Sequence, residues 1–596
     1  MNQIGSFDRD IPTDTASERF AGFTSMSPAG HRKRTLLVSL AVLAVPVAAY
    51  FWFIDRFSVN VVYQDQWSNI YLFEQWHQGH GSLATLWASH GDHRMFVPNV
   101  LMIALAWLTH LNVTFEEYLS AVMLVATTAL IIGAHLRRAP QTPIWWYLPV
   151  VLMLFSFVQY QNTLWGFQMA WFLVTLCLVA SLFLLDRTVL STGALLAALA
   201  LAVMASYSSL QGLIVWPTGL LLLWMRHRSK RHMFAWCGVG LVVSALYFYQ
   251  LHPSEYSNQH FVFTHPFAAL EFMAFLIGSV FGVQLTNAPG IEVAAGLMVV
   301  AVSVGLLVRF GHRDEQSSRP FGLTLIVYGL LFAVTITEGR AWFGLWAPSR
   351  YATCGLLILT GCYLVLIDQT PQPALAGGEP VPAPNVHAAR ARTRWSWTSV
   401  GIVVGWVTVA AVMIGAVVVG TGRAYVSAGQ WSRDQQLVAD VTVNYRKASA
   451  PLLTSKLLPG NTTELLDLVR VMEAYPLSEF ATSARSHYRS LGLFPQLTAV
   501  QTRIIVPRPG TVVGSWCRVD AVASDPSGIR SVRFTVTNIS TGRSLALGPG
   551  TPSFYGWVTT WKTMGLPEGR YALTSTAVGS AGNSARSAPI VVDVRH

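Results

Sequence analysis

The chain has 596 residues, of which 52% are hydrophobic and only 12% charged, with a mean hydropathy of +0.44. A water-soluble globule carries about twice that share of charge, so the composition excludes a soluble enzyme or binding module as the whole protein. The formal net charge of +11 does not mark a nucleic-acid binder, because Lys and Arg fall in short clusters beside apolar runs, as the positive-inside rule places them.

The first residues, 1–34, form a polar tail that ends in His31-Arg32-Lys33-Arg34. The apolar run that follows lacks a small-residue cleavage site and is read as a retained anchor helix. Runs of about 15 to 20 apolar residues, the length that crosses a bilayer as a helix, lie at Thr35 to Ile54, Glu117 to Ala134, Pro143 to Val158 and Trp171 to Leu185. They continue at Ala194 to Tyr207, Leu213 to Met225, Met233 to Tyr249, Ile291 to Val308, Phe321 to Thr335, Tyr351 to Ile367 and Ser399 to Val419. The expected fold is therefore a polytopic α-helical membrane bundle over 35–420, with about eleven spans.

Two further segments, Met95 to Leu111 and Phe267 to Leu285, are apolar but ambiguous. The basic clusters His31 to Arg34, His135 to Arg138, Arg226 to His232, Arg309 to Arg313 and Arg390 to Arg394 all belong on the cytoplasmic side. All five stay there if the two ambiguous segments are re-entrant or interfacial helices, which are allowed where they pack on protein. The N-terminus is then cytoplasmic and the C-terminus extracytoplasmic. Acidic residues are scarce within the expected spans, and no internal repeat is evident, which weighs against a proton-coupled transporter.

Pro371 to Pro384 reads as a flexible inner linker. Beyond the last span, 421–500 is polar with helical spacing in Leu465-Leu466-Leu468-Val469-Val471-Met472, and is expected to be a short helical stalk. From 501 to 596 the period changes to alternation. Arg518 to Ala523, Arg530 to Thr537, Gly556 to Trp561, Tyr571 to Ala577 and Ile590 to Val594 read as strands separated by turn signals, giving a small all-β sandwich. Gly569-Arg570-Tyr571-Ala572-Leu573 and Ala581-Gly582-Asn583 make this segment resemble bacterial immunoglobulin-like modules. A spacer or protein-contact role outweighs carbohydrate binding by Trp516, Trp557 and Trp561. Cys177, Cys237, Cys354 and Cys362 lie in apolar segments and Cys517 stands alone beyond them, so no disulfide framework follows.

The expected topology gathers the unusual polar residues on the outer face. The first outer loop carries Tyr63-Gln64-Asp65-Gln66-Trp67 about ten residues after a span, then His90-Gly91-Asp92-His93-Arg94. Later outer loops carry Gln159 to Asn162, Ser208 to Gln211, His252 to His265 and Glu338 to Arg350. A carboxylate within hydrogen-bond reach can take or orient a proton, and outer-face cations can hold an anionic group. Asp65, or its rival Asp92, supplies the first. Arg94, Arg340 and Arg350 supply the second, Arg being suited by its planar fork. His90, His93, Tyr351 and Gln161 complete the candidate substrate contacts. Each has a plainer role open to it: Asp65 as a turn or helix cap, the arginines as snorkelling helix ends, and Gln159, Gln161 and Asn162 as caps and packing polars. His90, Asp92 and His93 could together hold a divalent metal, but three close-spaced ligands are weak evidence and hydrogen bonding or phosphate contact outweighs it, so no cofactor is expected.

The first loop, with an acid shortly after the first helix and juxtamembrane segments behind it, resembles the polyprenyl-phosphate-sugar-dependent membrane glycosyltransferases of the GT-C class. Trp165-Gly166-Phe167-Gln168, Gln211-Gly212-Leu213 and Ser349-Arg350-Tyr351 are similar to features of bacterial members of that group. The resemblance implies inverting transfer from a polyprenyl-phosphate-linked sugar donor to an extracytoplasmic glycan, lipid or protein acceptor, in the bacterial cytoplasmic membrane, with Asp65 as base. Two competing readings are a transporter or flippase of lipid-linked glycans and a non-catalytic envelope scaffold.

Overall fold

The computed structural model describes residues 28–251, 260–281, 289–368, 397–445, 462–481, 500–525, 529–553 and 556–595. The chain is mostly helical, and its β strands are concentrated after residue 500. Among the described residues, eight helical stretches are long and apolar enough to cross a membrane: Arg34–Phe57, Val113–Arg138, Ile144–Thr163, Gly166–Leu185, Lys230–Phe248, Pro289–Phe310, Arg319–Phe343 and Ser349–Leu366. The protein is therefore a multi-pass membrane protein with a separate C-terminal β region.

Two of the expected spans form helices slightly longer than the apolar runs that marked them, yet still short of the hydrocarbon thickness. Thr192–Ser206 and Leu210–Met225 reach only about 24 Å at 1.5 Å per residue, against a hydrocarbon core of about 30 Å. The ambiguous segments are shorter still as helices, Phe96–Thr109 and Pro266–Gly278, the second extended by a 3-10 turn at Ser279–Phe281. Ser399 to Val419 lies within one 47-residue helix, Trp397–Val443. The proposed linker at 371–384 and the basic cluster Arg390 to Arg394 lie outside the described residues.

Helices pack closely where side chains are smallest. A Cβ on Gly361 would fall 2.6 Å from the Gly322 carbonyl oxygen, so Arg319–Arg340 and Ala352–Leu366 meet backbone to backbone, the small-residue contact that membrane helices favour. At the end of the bundle bearing basic residues, buried Arg226 donates to Asp186 at 2.6 Å and to the carbonyls of Asp314 and Ser317. Arg138 donates to the carbonyls of Asp186 and Glu315. Two of the basic clusters thus tie helix ends together as well as standing beside the membrane.

The segment expected to be a stalk is packed instead. Val438, Ala439 and Val441 from the long helix, with Leu468, Val469 and Met472 from Thr462–Ala474, share a core with Val61, Val62, Trp67, Ile70 and Phe73 of the first loop. Glu479, fully buried, accepts the Val62 N–H at 3.2 Å, and the Ser478 N–H donates to the His110 carbonyl at 2.8 Å. Val62 lies three residues before Asp65, so this second core fixes the loop that carries it.

The β region holds two sheets around one core. One sheet orders Val512–Val513, Ile590–Val594, Gly569–Gly579, Ile529–Asn538 and Ser544–Pro549; the other orders Gln501–Val506, Trp516–Ser524, Gly556–Lys562 and Thr551–Ser553. All five expected strands are present. Alternation is the cause: Val532, Phe534 and Val536 point inward against Val519, Ala521, Trp561 and Leu573.

Candidate functional site

Asp65 lies in a 3-10 turn, Gln64–Gln66, between the first membrane helix and the short helix Trp67–His77. It does not act as a cap: the N-cap positions of these two elements are Tyr63 and Gln66, and neither makes a side-chain cap bond. Gln64, just before it, holds φ at 45°, a region in which a non-glycine residue is strained by about 1 kcal/mol or more. The carboxylate instead faces His90, whose Nε2 stands 3.8 Å from Oδ1. The two side chains keep 35% and 32% of their surface accessible, although Asp65 is crowded by protein atoms, which is the environment of a cleft floor.

The local sequence explains how His90 arrives there. Ser89–His90 and His93–Arg94 pair as a two-residue hairpin with His90 opposite His93. Gly91, at φ 55°, supplies the positive dihedral that the first central position of a type II′ turn requires. Residues directly opposite in such a pair project on the same side, with Cβ atoms about 5 Å apart, so both imidazoles face one cleft. His93 Nδ1 accepts the Leu210 N–H at 3.3 Å and lies 3.4 Å from Ser209 Oγ, which leaves its proton on Nε2.

The far wall carries the arginines. Arg340 ends the helix Arg319–Arg340, and Arg350 sits in the 3-10 turn Ser349–Tyr351. The charges of both guanidiniums act on the Tyr351 hydroxyl. Arg350 also packs over Trp165 at 5.6 Å and Tyr351 at 5.1 Å. Its turn is pinned to the broken segment after Leu154: Asn162 Nδ2 donates to the Arg350 carbonyl at 2.7 Å, and the Gln161 N–H donates to Ser349 Oγ at 3.1 Å. The run expected as one span at Pro143 to Val158 is interrupted here, with Leu148–Leu154 followed by short turns to Gln168. Gln159 and Asn162 spend their amides on the carbonyls of Leu154 and Arg350 and on the Thr353 hydroxyl. They are packing residues, whereas the Gln161 Oε1 atom is buried with no partner.

Electrostatics join these walls. Burial pushes the Asp65 carboxyl up, but the nearby His90, Arg350 and His93 outweigh it and hold the group below its ordinary value. Burial drives His93 down to about 4, Asp92 partly opposes this, and His90 and Arg340 reinforce it. The site at neutral pH therefore presents an ionised Asp65, a neutral His93 and two arginines. No family model, curated protein or solved structure matches this chain.

Two sequence candidates take other places. Arg94 is 4% exposed, and its guanidinium donates to the carbonyls of Trp87, Tyr247 and Tyr249 at 2.6 to 3.2 Å. It ties the hairpin to Lys230–Phe248 and its end, with all three guanidinium nitrogens spent on backbone carbonyls. Asp92 occupies the hairpin tip, where its charge acts on His93 and its carbonyl lies 3.5 Å from the Tyr247 hydroxyl. Among the described residues no three His, Cys, Asp or Glu side chains gather as a metal site.

Other residues around Asp65 were named in sequence only as parts of motifs, as Tyr63, Trp165 and Phe167 were, or not at all, as with Trp431 and Asp434. Tyr63 and Trp165 meet at 5.6 Å, Tyr63 and Trp431 at 5.2 Å, and Trp165 and Phe167 at 5.9 Å, while His90 lies 5.2 Å from Phe167. Asp434, one helical turn beyond Trp431, acts on Tyr63 together with Asp65. Beneath the loop, Glu116 and Glu117 are 0% and 1% exposed. Glu116 accepts from Gln66 at 3.0 Å, and among the described residues neither Glu117 carboxylate oxygen has a hydrogen-bond partner of good geometry. A Cβ on Gly166 would collide with the Glu116 carboxylate, which gives Trp165-Gly166-Phe167-Gln168 a packing reason for its glycine.

Proposed function

We propose that this protein is a membrane glycosyltransferase of the GT-C type, moving a sugar from a polyprenyl-phosphate donor to an extracytoplasmic glycan, lipid or protein acceptor. The observation that supports this reading is an ionised Asp65 that faces His90 and feels the charge of Arg350, which packs over Trp165 and acts together with Arg340 on Tyr351. Asp65 accepts or orients the acceptor proton as the new bond to the anomeric carbon forms. The bond from that carbon to the phosphate oxygen breaks, its electron pair leaves on the polyprenyl phosphate, and the arginines stabilise that charge. The aromatic rings offer apolar faces for the sugar. Attack opposite the leaving group inverts the anomeric centre.

In this reading the chain lies in a bacterial cytoplasmic membrane with about eleven spans, the N-terminus inside and the β region outside. Thr192–Ser206, Leu210–Met225 and the long C-terminal helix supplement the eight longer spans. An immunoglobulin-like β sandwich is supported by its two facing sheets and by the Tyr571 hydroxyl, which donates to the Pro567 carbonyl at 2.7 Å, as in a tyrosine corner. The test is transfer by the purified protein in liposomes from a panel of polyprenyl-phosphate sugars. Product of inverted configuration is expected from one donor; absence of transfer from the whole panel would refute the reading.

One observation favours a second reading. The buried Glu116 and Glu117 are the acidic pair that the apolar composition gave no reason to expect, and intramembrane carboxylates mark proton relays. A flippase of lipid-linked glycans would use them. Proton-dependent translocation that is lost in Glu117→Gln, with no sugar transfer, would select it.

A further inference from the structure

The turn that joins the two arginines is held from outside by the β region. Ala341–Phe343 is a 3-10 turn directly following Arg340, and Arg350 lies seven residues beyond it. The Trp342 and Phe343 rings lie 4.2 Å apart, tilted by 31°. Trp516 of the β region covers Trp342 at 5.7 Å and also meets Phe261 at 5.7 Å, and the Arg518 guanidinium lies 4.9 Å from the Trp342 ring and 5.8 Å from that of Phe343. Ser515 Oγ lies 2.8 Å from His265 Nε2, so the docked strand is fixed at its start as well. Trp516 and Arg518 project from the same strand at positions i and i+2, the spacing that puts both on one face.

We infer that Trp516 and Arg518 are positioning residues: the β region docks on the Ala341–Phe343 turn and so sets the separation of Arg340 from Arg350 that a phosphate group requires. The inference rests on the donor reading above for its phosphate, but the docking contact itself does not. The loop carries a guanidinium at each end, Arg340 closing one helix and Arg350 in the turn before the next, so their separation follows its backbone, and the Trp342–Phe343 ring pair under Trp516 is a place where the β region grips that backbone. A cation held over an aromatic ring, shielded from water by a second ring, is the stronger form of that contact. The β region is then part of the site's framework and not a spacer.

The test uses the full chain in detergent, with Trp516→Ala, Arg518→Ala and the conservative Trp516→Phe. Two quantities are measured: hydrogen exchange of the 341–351 backbone, and binding of polyprenyl phosphate without sugar. The alanine variants are expected to exchange at 341–351 at least tenfold faster and to bind the lipid phosphate about tenfold more weakly, with Trp516→Phe restoring both. Exchange unchanged in both alanine variants would overturn the docking. Faster exchange with undiminished binding would overturn the positioning role. Faster exchange in a protein whose wild type binds no polyprenyl phosphate would uphold the brace and refute the donor reading.

Discussion

Asp65 remains a carboxylate at neutral pH because the charges around it outweigh its burial. Its activity-determining proton should therefore be bound only below the ordinary carboxylate range: the rate of transfer is expected to stay level as pH falls to that range and to decline only beneath it. An acid limb near pH 6 would assign the base elsewhere. The arginines act by geometry as well as charge, so Arg350→Lys, which keeps the charge but loses the planar fork, is expected to raise the donor KM about tenfold. Glu479 offers a separate check on the loop. Burial pushes its carboxyl up to about 7, against an ordinary value near 4.5. Between those values the folded chain holds a proton that the unfolded chain releases, so stability is greatest below about pH 4.5 and declines as pH rises to about 7. The full difference is on the order of 3 kcal/mol. Thermal unfolding of Glu479→Gln in detergent should lack that decline, while the similarly raised Asp520 contributes equally to both proteins and cancels in the comparison.

At the scale of elements, the hairpin Ser89–Arg94 depends on the positive φ of Gly91. Gly91→Ala is expected to destabilise the protein by about 1 kcal/mol and to lower turnover, because His90 and His93 lose their shared orientation; unchanged stability and turnover would show that the turn tolerates a side chain. The strands were legible because a residue's face alternates with its position, and that period survives in sequence. The apolar runs were legible as helices for the same reason of composition. Other features left no local mark. The break at Phe155 and Ser156 lies inside a run whose hydropathy is continuous, and Trp431 reaches Tyr63 across more than 360 residues of chain. Arg94 looked like an outer cation because sequence shows its charge but not the three carbonyls that consume it. Asp65, Arg340 and Arg350 were legible as charges on one expected face, while the coupling of their charges depends on helix packing that no spacing records.

For the whole molecule, residues of Trp397–Val443 and Thr462–Ala474 pack on the first outer loop, while the β region packs on the Ala341–Phe343 turn. The orientation proposed for them is open to direct labelling. In a Cys237→Ser background, where Cys177, Cys354, Cys362 and Cys517 are buried, the exposed positions His80 and His312 can each be changed to Cys. A membrane-impermeant maleimide applied to intact cells is expected to label His80→Cys and to leave His312→Cys unlabelled; the reverse would invert the topology and put Asp65 on the cytoplasmic side. The central claim, that the Asp65 cleft performs glycosyl transfer, is tested most directly by comparing wild type with Asp65→Asn in sugar transfer from the donor that the wild type accepts. A loss of a hundredfold or more in a variant that still binds the polyprenyl phosphate is expected, within the range that a positioned general base supplies. Equal turnover in the two proteins would contradict it.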